Sequence, residues 1–94
     1  MRLNWSLKSR RDVTNLVSYI GENNPAAAQQ QAYFIAKAAM GLMQFPEMGP
    51  ETGNRDIRKL VVGNTPYIIA YRVRGDEVQI LRVLHGKQRW PEIG

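Results

Sequence analysis

The spacing of apolar and polar positions changes period along these 94 residues, dividing them into a strand, two helices and three further strands. Arg2 to Trp5 reads as a short edge-like strand. In Ser9-Arg10-Arg11-Asp12 the serine suits an N-cap and the aspartate can return the bond to the first turn. Val13, Leu16, Val17 and Ile20 follow at i, i+3, i+4 and i+7, which predicts a short helix ending near Ile20, with Gly21 as its left-handed stop. Asn24-Pro25 announces a second helix, because Asn caps and Pro fills the first position, where no amide donor is needed. That helix is expected from Ala26 to about Phe45, with Ala28, Ala32, Ile35, Ala39, Leu42 and Met43 on its inner stripe. Phe45-Pro46-Glu47-Met48-Gly49-Pro50 breaks it, and the chain through Asn54 reads as loop.

From Asp56 the period is two. Ile57 to Val62, Tyr67 to Val73 and Val78 to His85 are the expected strands, separated by Gly63-Asn64-Thr65-Pro66 and Arg74-Gly75-Asp76-Glu77. The fold class is therefore α+β: an N-terminal strand, a helical hairpin and a three-stranded antiparallel meander in a single domain over residues 1–94. With Gly75-Asp76 as a two-residue turn, Val73 faces Val78, Arg72 faces Gln79, Tyr71 faces Ile80, Ala70 faces Leu81, Ile69 faces Arg82 and Ile68 faces Val83. This register puts Tyr67, Ile69, Tyr71, Val73, Val78, Ile80, Arg82 and Leu84 on one face. Ile68, Ala70, Arg72, Gln79, Leu81, Val83 and His85 fall on the other. Two helices can cover only one of these apolar faces, so the second is expected to meet a partner polypeptide. A buried site, a homodimer, or a C-terminal lid carrying Trp90 and Ile93 are the alternatives.

Composition narrows the chemistry. There is no cysteine and one histidine, so neither a thiolate site nor a histidine cluster for a metal is expected, and no cofactor motif is present. No apolar run approaches the roughly 20 residues of a membrane span, and the N-terminus lacks the order of a signal peptide, which predicts a cytoplasmic protein. Thirteen Lys and Arg against eight Asp and Glu give a formal charge of +5, favouring an anionic partner such as nucleic acid or an acidic polypeptide. The candidate chemistry gathers near the C-terminus. His85 is the one side chain suited to acid/base work near neutral pH. Arg58, Arg72, Arg82, Lys87 and Arg89 are candidate phosphate contacts or salt-bridge partners, and Trp90 is a stacking surface or an interface anchor.

The element order, with Tyr19-Ile20, Asn24-Pro25-Ala26-Ala27-Ala28, Phe45-Pro46-Glu47-Met48-Gly49, Arg58-Lys59-Leu60-Val61-Val62, Tyr67-Ile68-Ile69-Ala70-Tyr71-Arg72-Val73 and Val83-Leu84-His85-Gly86-Lys87-Gln88-Arg89-Trp90-Pro91, resembles the RelE/ParE toxin superfamily, and more closely its ParE branch. The resemblance implies a bacterial toxin wrapped and neutralised by a cognate antitoxin. It also implies one of two actions. ParE-like members bind DNA gyrase and poison it, needing a docking surface and no catalytic group. RelE-like members cut mRNA on the ribosome, which needs a base, an acid and cations for the phosphorane. For the second action His85 with Arg82, Arg89 and Arg58 would be the catalytic set. However, the strand position that carries an arginine in such ribonucleases is Ile68 here, and the tyrosines that stack a base are absent after Trp90. The expectation is thus a gyrase poison, with Arg72, His85, Lys87, Arg89 and Trp90 as partner contacts. The ribosome and its mRNA are the alternative target.

Overall fold

The computed structural model describes residues 1–91 and Ile93. Its elements are β1 (Arg2–Trp5), α1 (Leu7–Gly21), α2 (Pro25–Gly41), β2 (Arg58–Val61), β3 (Tyr67–Arg74) and β4 (Glu77–His85). The strands form one sheet in the order β1-β4-β3-β2, with β1 parallel to β4 and the other neighbours antiparallel. Leu16, Ile35, Ala39 and Leu42 from the helical side meet Ile69, Tyr71, Val78, Ile80 and Val83 of the sheet in the main core.

The two helices begin for different local reasons. Asn24 caps α2 as expected, its side chain accepting from the Ala27 amide at 3.0 Å, and Pro25 opens the helix. At α1 the cap is Ser6, three residues before the expected Ser9. Ser6 is extended, its Oγ accepts from the Ser9 amide at 3.0 Å, and the same hydroxyl donates to the Leu81 carbonyl at 2.8 Å. Ser9 is instead buried, donating to the Ser6 carbonyl at 2.8 Å. Gly21 is not a left-handed stop either, since the helix runs through it and Glu22 follows in right-handed conformation. Helix α2 stops at Gly41 rather than near Phe45. Leu42, Met43 and Gln44 continue as single turns bonded to the residue three before, which keeps Leu42 in the core while aiming the chain toward Pro46.

The β3–β4 hairpin has the expected two-residue turn, with Gly75 at φ 59°, and the expected pairs Val73–Val78, Arg72–Gln79 and Tyr71–Ile80. There the simple register fails. A bulge leaves Leu81 without a partner, so Ala70 pairs with Arg82, Ile69 with Val83, Ile68 with Leu84 and Tyr67 with His85. One extra residue reverses the faces of everything beyond it. Val83 therefore joins the helix-side core, Leu84 goes to the second face, and His85 shares the helix side with Tyr67 rather than a face with Ile68 and Ala70.

The second face is covered in part by the chain itself. Ile57, Ala70 and Leu84 are each at most 1% exposed yet lie outside the main core. The connection before β2 is fixed by bonds from the Lys59 amide to the Pro50 carbonyl and from the Thr52 amide and hydroxyl to the Ile57 carbonyl. Asp56 pairs with Arg74 at 2.7 Å. Asn54 and Arg55 of this connection line a cavity of about 520 Å³ together with Leu81, Arg82 and Ile93. The chain thus buries part of the face that the sequence assigns to a partner, and Ile93 lines the cavity beside it.

Candidate functional site

Strand β1 ends at Trp5, opposite Ile80, so the last five residues of β4 have no neighbouring strand on that side. Helix α1 fills the gap with side chains. The Asp12 carboxylate accepts from Arg82 Nε at 2.7 Å, from Arg82 Nη2 at 2.9 Å and from the Val83 amide at 2.9 Å. It thereby satisfies a strand-edge donor and a guanidinium fork together. Both side chains are largely buried, and the hydrogen bond that Arg82 donates to Asp12 holds its guanidinium above its ordinary pKa. Asp12 is therefore a tertiary clamp rather than the return half of a capping box.

Beyond the clamp lies a groove of about 450 Å³ lined by Asp12, Asn15, Leu16, Tyr19, Tyr67, Arg82, Val83, His85 and Gln88. The His85 and Tyr67 rings meet edge to face, centroids 5.6 Å apart at 81°. Burial pushes the Tyr67 phenol above its ordinary pKa, and the neighbouring Tyr19 adds to the shift. A tight turn fixes the histidine: the Lys87 amide donates to His85 Nδ1 at 3.1 Å, the His85 amide to Gln88 Oε1 at 3.3 Å, and the Gln88 amide to the His85 carbonyl at 2.9 Å. The Gly86 amide anchors this turn to the Pro66 carbonyl at 2.7 Å. An imidazole accepting at Nδ1 carries its proton on Nε2. Lys87 and Arg89 are exposed just past it, and Trp90 is half-buried.

The structure separates the remaining candidates. Arg72 lies on the opposite face from His85, where its Nε donates to Gln79 Oε1 at 2.8 Å and Gln79 donates in turn to Glu77 at 2.8 Å. The bonds from Gln79 and Asn4, with the Arg2 charge, hold the Glu77 carboxyl below its ordinary pKa. Arg58 sits at the far edge, donating to the Gly49 carbonyl at 2.9 Å and approaching Glu51 at 3.4 Å. Of His85, Arg82, Arg89 and Arg58, only His85 and Arg82 line one groove, and Arg82 is bound to Asp12 there. Sequence reading did not place Tyr19, Tyr67 or Asp12 at the site. Tyr19 was the visible signal, an aromatic off the apolar stripe of α1 and 75% exposed.

A two-helix hairpin packed on a mixed four-stranded sheet, ending in a basic turn, defines a class of small α+β domains. The family described as "ParE toxin of type II toxin-antitoxin system, parDE" matches residues 3–90. A protein of Sinorhizobium fredii (strain NBRC 101917 / NGR234) designated Y4kP is 35% identical over 92 residues, covering 98% of this chain and 95% of that protein. The toxin RelE2 of Caulobacter vibrioides is 37% identical over 81 residues, covering 86% and 90%. A solved structure of the chromosomal ParDE toxin–antitoxin system from P. aeruginosa superposes with a TM-score of 0.81 at 25% identity, over 90% of this chain and 95% of that one. The chain belongs to the ParE toxin family of type II toxin–antitoxin systems, within the RelE/ParE superfamily. Membership implies a cognate antitoxin as partner.

Proposed function

We propose that this toxin acts by docking on DNA gyrase and poisoning it, and that an acidic antitoxin neutralises it by wrapping the same basic molecule. One observation carries this reading: two of the three arginines that phosphoryl chemistry would draw on are committed elsewhere. Arg82 is held by Asp12, and Arg58 by the Gly49 carbonyl and Glu51. Ile68 offers no charge on β3. Losing one preorganised donor of transition-state charge typically costs a hundredfold to a thousandfold in rate. A docking function has no such requirement. Lys87, Arg89, Trp90 and His85 then serve as contacts, and Arg72 as a contact on the other face. In a paired assay of one preparation, gyrase supercoiling is inhibited or cleaved DNA accumulates at micromolar toxin, while in vitro translation proceeds. Unimpaired gyrase at that concentration overturns the proposal.

A ribosome-dependent endoribonuclease is the second reading. It is favoured by the relative named RelE2 and by His85, whose Nε2 has no hydrogen-bond partner among the described residues. Codon-specific mRNA cuts that His85→Ala abolishes would establish it in place of the first.

A further inference from the structure

Large apolar side chains left in water are not scattered evenly over this molecule. Of the eight exposed among the described residues, Tyr33, Met40, Phe45, Met48 and Val61 gather where the end of α2 runs beside the sheet edge at β2, each more than half exposed. Two grooves join them. One of about 620 Å³ is formed by Gln44 to Met48, and one of about 330 Å³ lies between the last turns of α2 and β2, with Met48 lining both. A contiguous apolar face of this kind marks an interaction surface.

Its shape is self-complementary. On α2, Tyr33, Lys37, Met40 and Gln44 stand at spacings of three and four as a ridge, and Phe34, Ala38 and Gly41 form the neighbouring row that lines the groove. Ridge and groove side by side on one helix let two copies interlock about a two-fold axis, each supplying what the other receives. Gly41 fits that use. Its φ is not left-handed, and a Cβ there would meet nothing within 4 Å, so packing within the chain does not call for glycine. A second helix crossing at that point does.

Charge selects the same occupant. The charged residues lining the two grooves are Lys37, before Gly41, and Glu47, after it. Lys37 rests over the Tyr33 ring at 5.8 Å, and neither it nor Glu47 is in an ion pair among the described residues. On a chain of formal charge +5 the grooves are thus locally neutral and give an acidic polypeptide no net attraction. Antiparallel copies set Lys37 of each against Glu47 of the other. An extended peptide is a poorer fit, because the outer edge of β2 is already taken at Arg58 by the bridge to Glu51 and at Lys59 by the bond from its amide to the Pro50 carbonyl.

We propose that this face is the contact between two copies of the chain, α2 crossing α2 in antiparallel at Gly41, with Met40, Phe45 and Met48 buried between them and Lys37 paired with Glu47 of the second copy at both ends. The face shares no lining residue with the groove at His85, so the contact holds whether gyrase or the ribosome is the target.

Sedimentation equilibrium of the full chain from about 1 to about 300 µM reads the dimer dissociation constant, expected within that range. Lys37→Glu and Glu47→Lys each weaken the dimer roughly 10- to 100-fold, because one reversal sets like charges together at both ends, and the two together restore it to within about threefold. Gly41→Leu weakens it about 10-fold or more without lowering the urea midpoint, since its Cβ enters open space in a single chain. Lys8→Glu, a reversal on α1 away from the face, leaves the constant within about threefold. The proposal is overturned if the chain stays monomeric to about 300 µM, or if Lys37→Glu weakens the dimer no more than Lys8→Glu does. It is overturned as well if the double reversal, folded with the urea midpoint of the unaltered chain, does not recover what the single reversals lose. It also falls if the methyl resonances of Met40 and Met48 move on adding the antitoxin or a gyrase subunit but not on concentrating the toxin alone.

Discussion

At the scale of single residues, two side chains do most to place the site, and both act through polar atoms the core cannot leave unpaired. Tyr71 is fully buried, and its hydroxyl donates to the Pro46 carbonyl at 2.8 Å while accepting from the Gly49 amide at 2.9 Å. It ties the chain after α2 to the centre of the sheet. Gly49 permits this approach, since a Cβ there would lie 2.6 Å from the Lys59 carbonyl and 2.8 Å from the Tyr71 ring. Tyr71→Phe strands both backbone groups and is expected to cost about 1–3 kcal/mol in urea denaturation. The second residue is Asp12. Asp12→Ala leaves the Arg82 charge and the Val83 amide without their acceptor, at an expected cost of about 2–4 kcal/mol. A double-mutant cycle with Arg82→Ala that returned no coupling would show that the pair contributes nothing beyond its separate parts.

At the scale of elements, β4 is the organising strand, because β1, β3 and α1 all bond to it. Its bulge at Leu81 decides which face His85 occupies. Deleting Leu81 removes the one unpaired residue and leaves Ala70–Arg82 through Tyr67–His85 in an unbroken ladder, so the Tyr67 and His85 rings are expected to stay on one face and keep their nuclear Overhauser contact. Loss of that contact in a folded deletion variant would show that Leu81 is not the extra residue of the ladder. The start of α1 is coupled to the same place through Ser6, which caps the helix and bonds the Leu81 carbonyl. Ser6→Ala is expected to lower stability by about 1–2 kcal/mol, read from the denaturation midpoint, since both bonds are lost together.

For the molecule as a whole, charge and acid response follow from pairs on the second face. The small desolvation of Asp56 acts to raise its pKa, but the hydrogen bond and charge of Arg74 hold the carboxyl below its ordinary value, as Gln79 and Asn4 do for Glu77. A carboxyl with a depressed pKa in the folded state binds fewer protons folded than unfolded. Its contribution is therefore present above the unfolded value and lost as pH falls through the folded one. The urea midpoint should be flat above about pH 5 and fall through and below about pH 4, and Asp56→Asn with Glu77→Gln should flatten part of that fall. The formal charge of +5 acts at the same scale, making association with anionic partners sensitive to salt.

The sequence by itself determined the element order, the Asn24 cap, the Gly75 turn, the first three pairs of the hairpin and the family. These depend on local periodicity and on backbone preferences that a few neighbouring residues settle. Tertiary structure decided the rest. Nothing local marks Leu81 as an unpaired residue, because a bulge is selected by how the whole of β4 must meet β1, β3 and α1 together. Asp12 looks like a capping residue until a strand some seventy positions away presents Arg82 and an unsatisfied amide. The same long-range contacts, which no local window contains, separated Arg72 from His85, buried Ile57, Ala70 and Leu84 beneath the chain's own loop, and brought Tyr19 and Tyr67 beside the histidine.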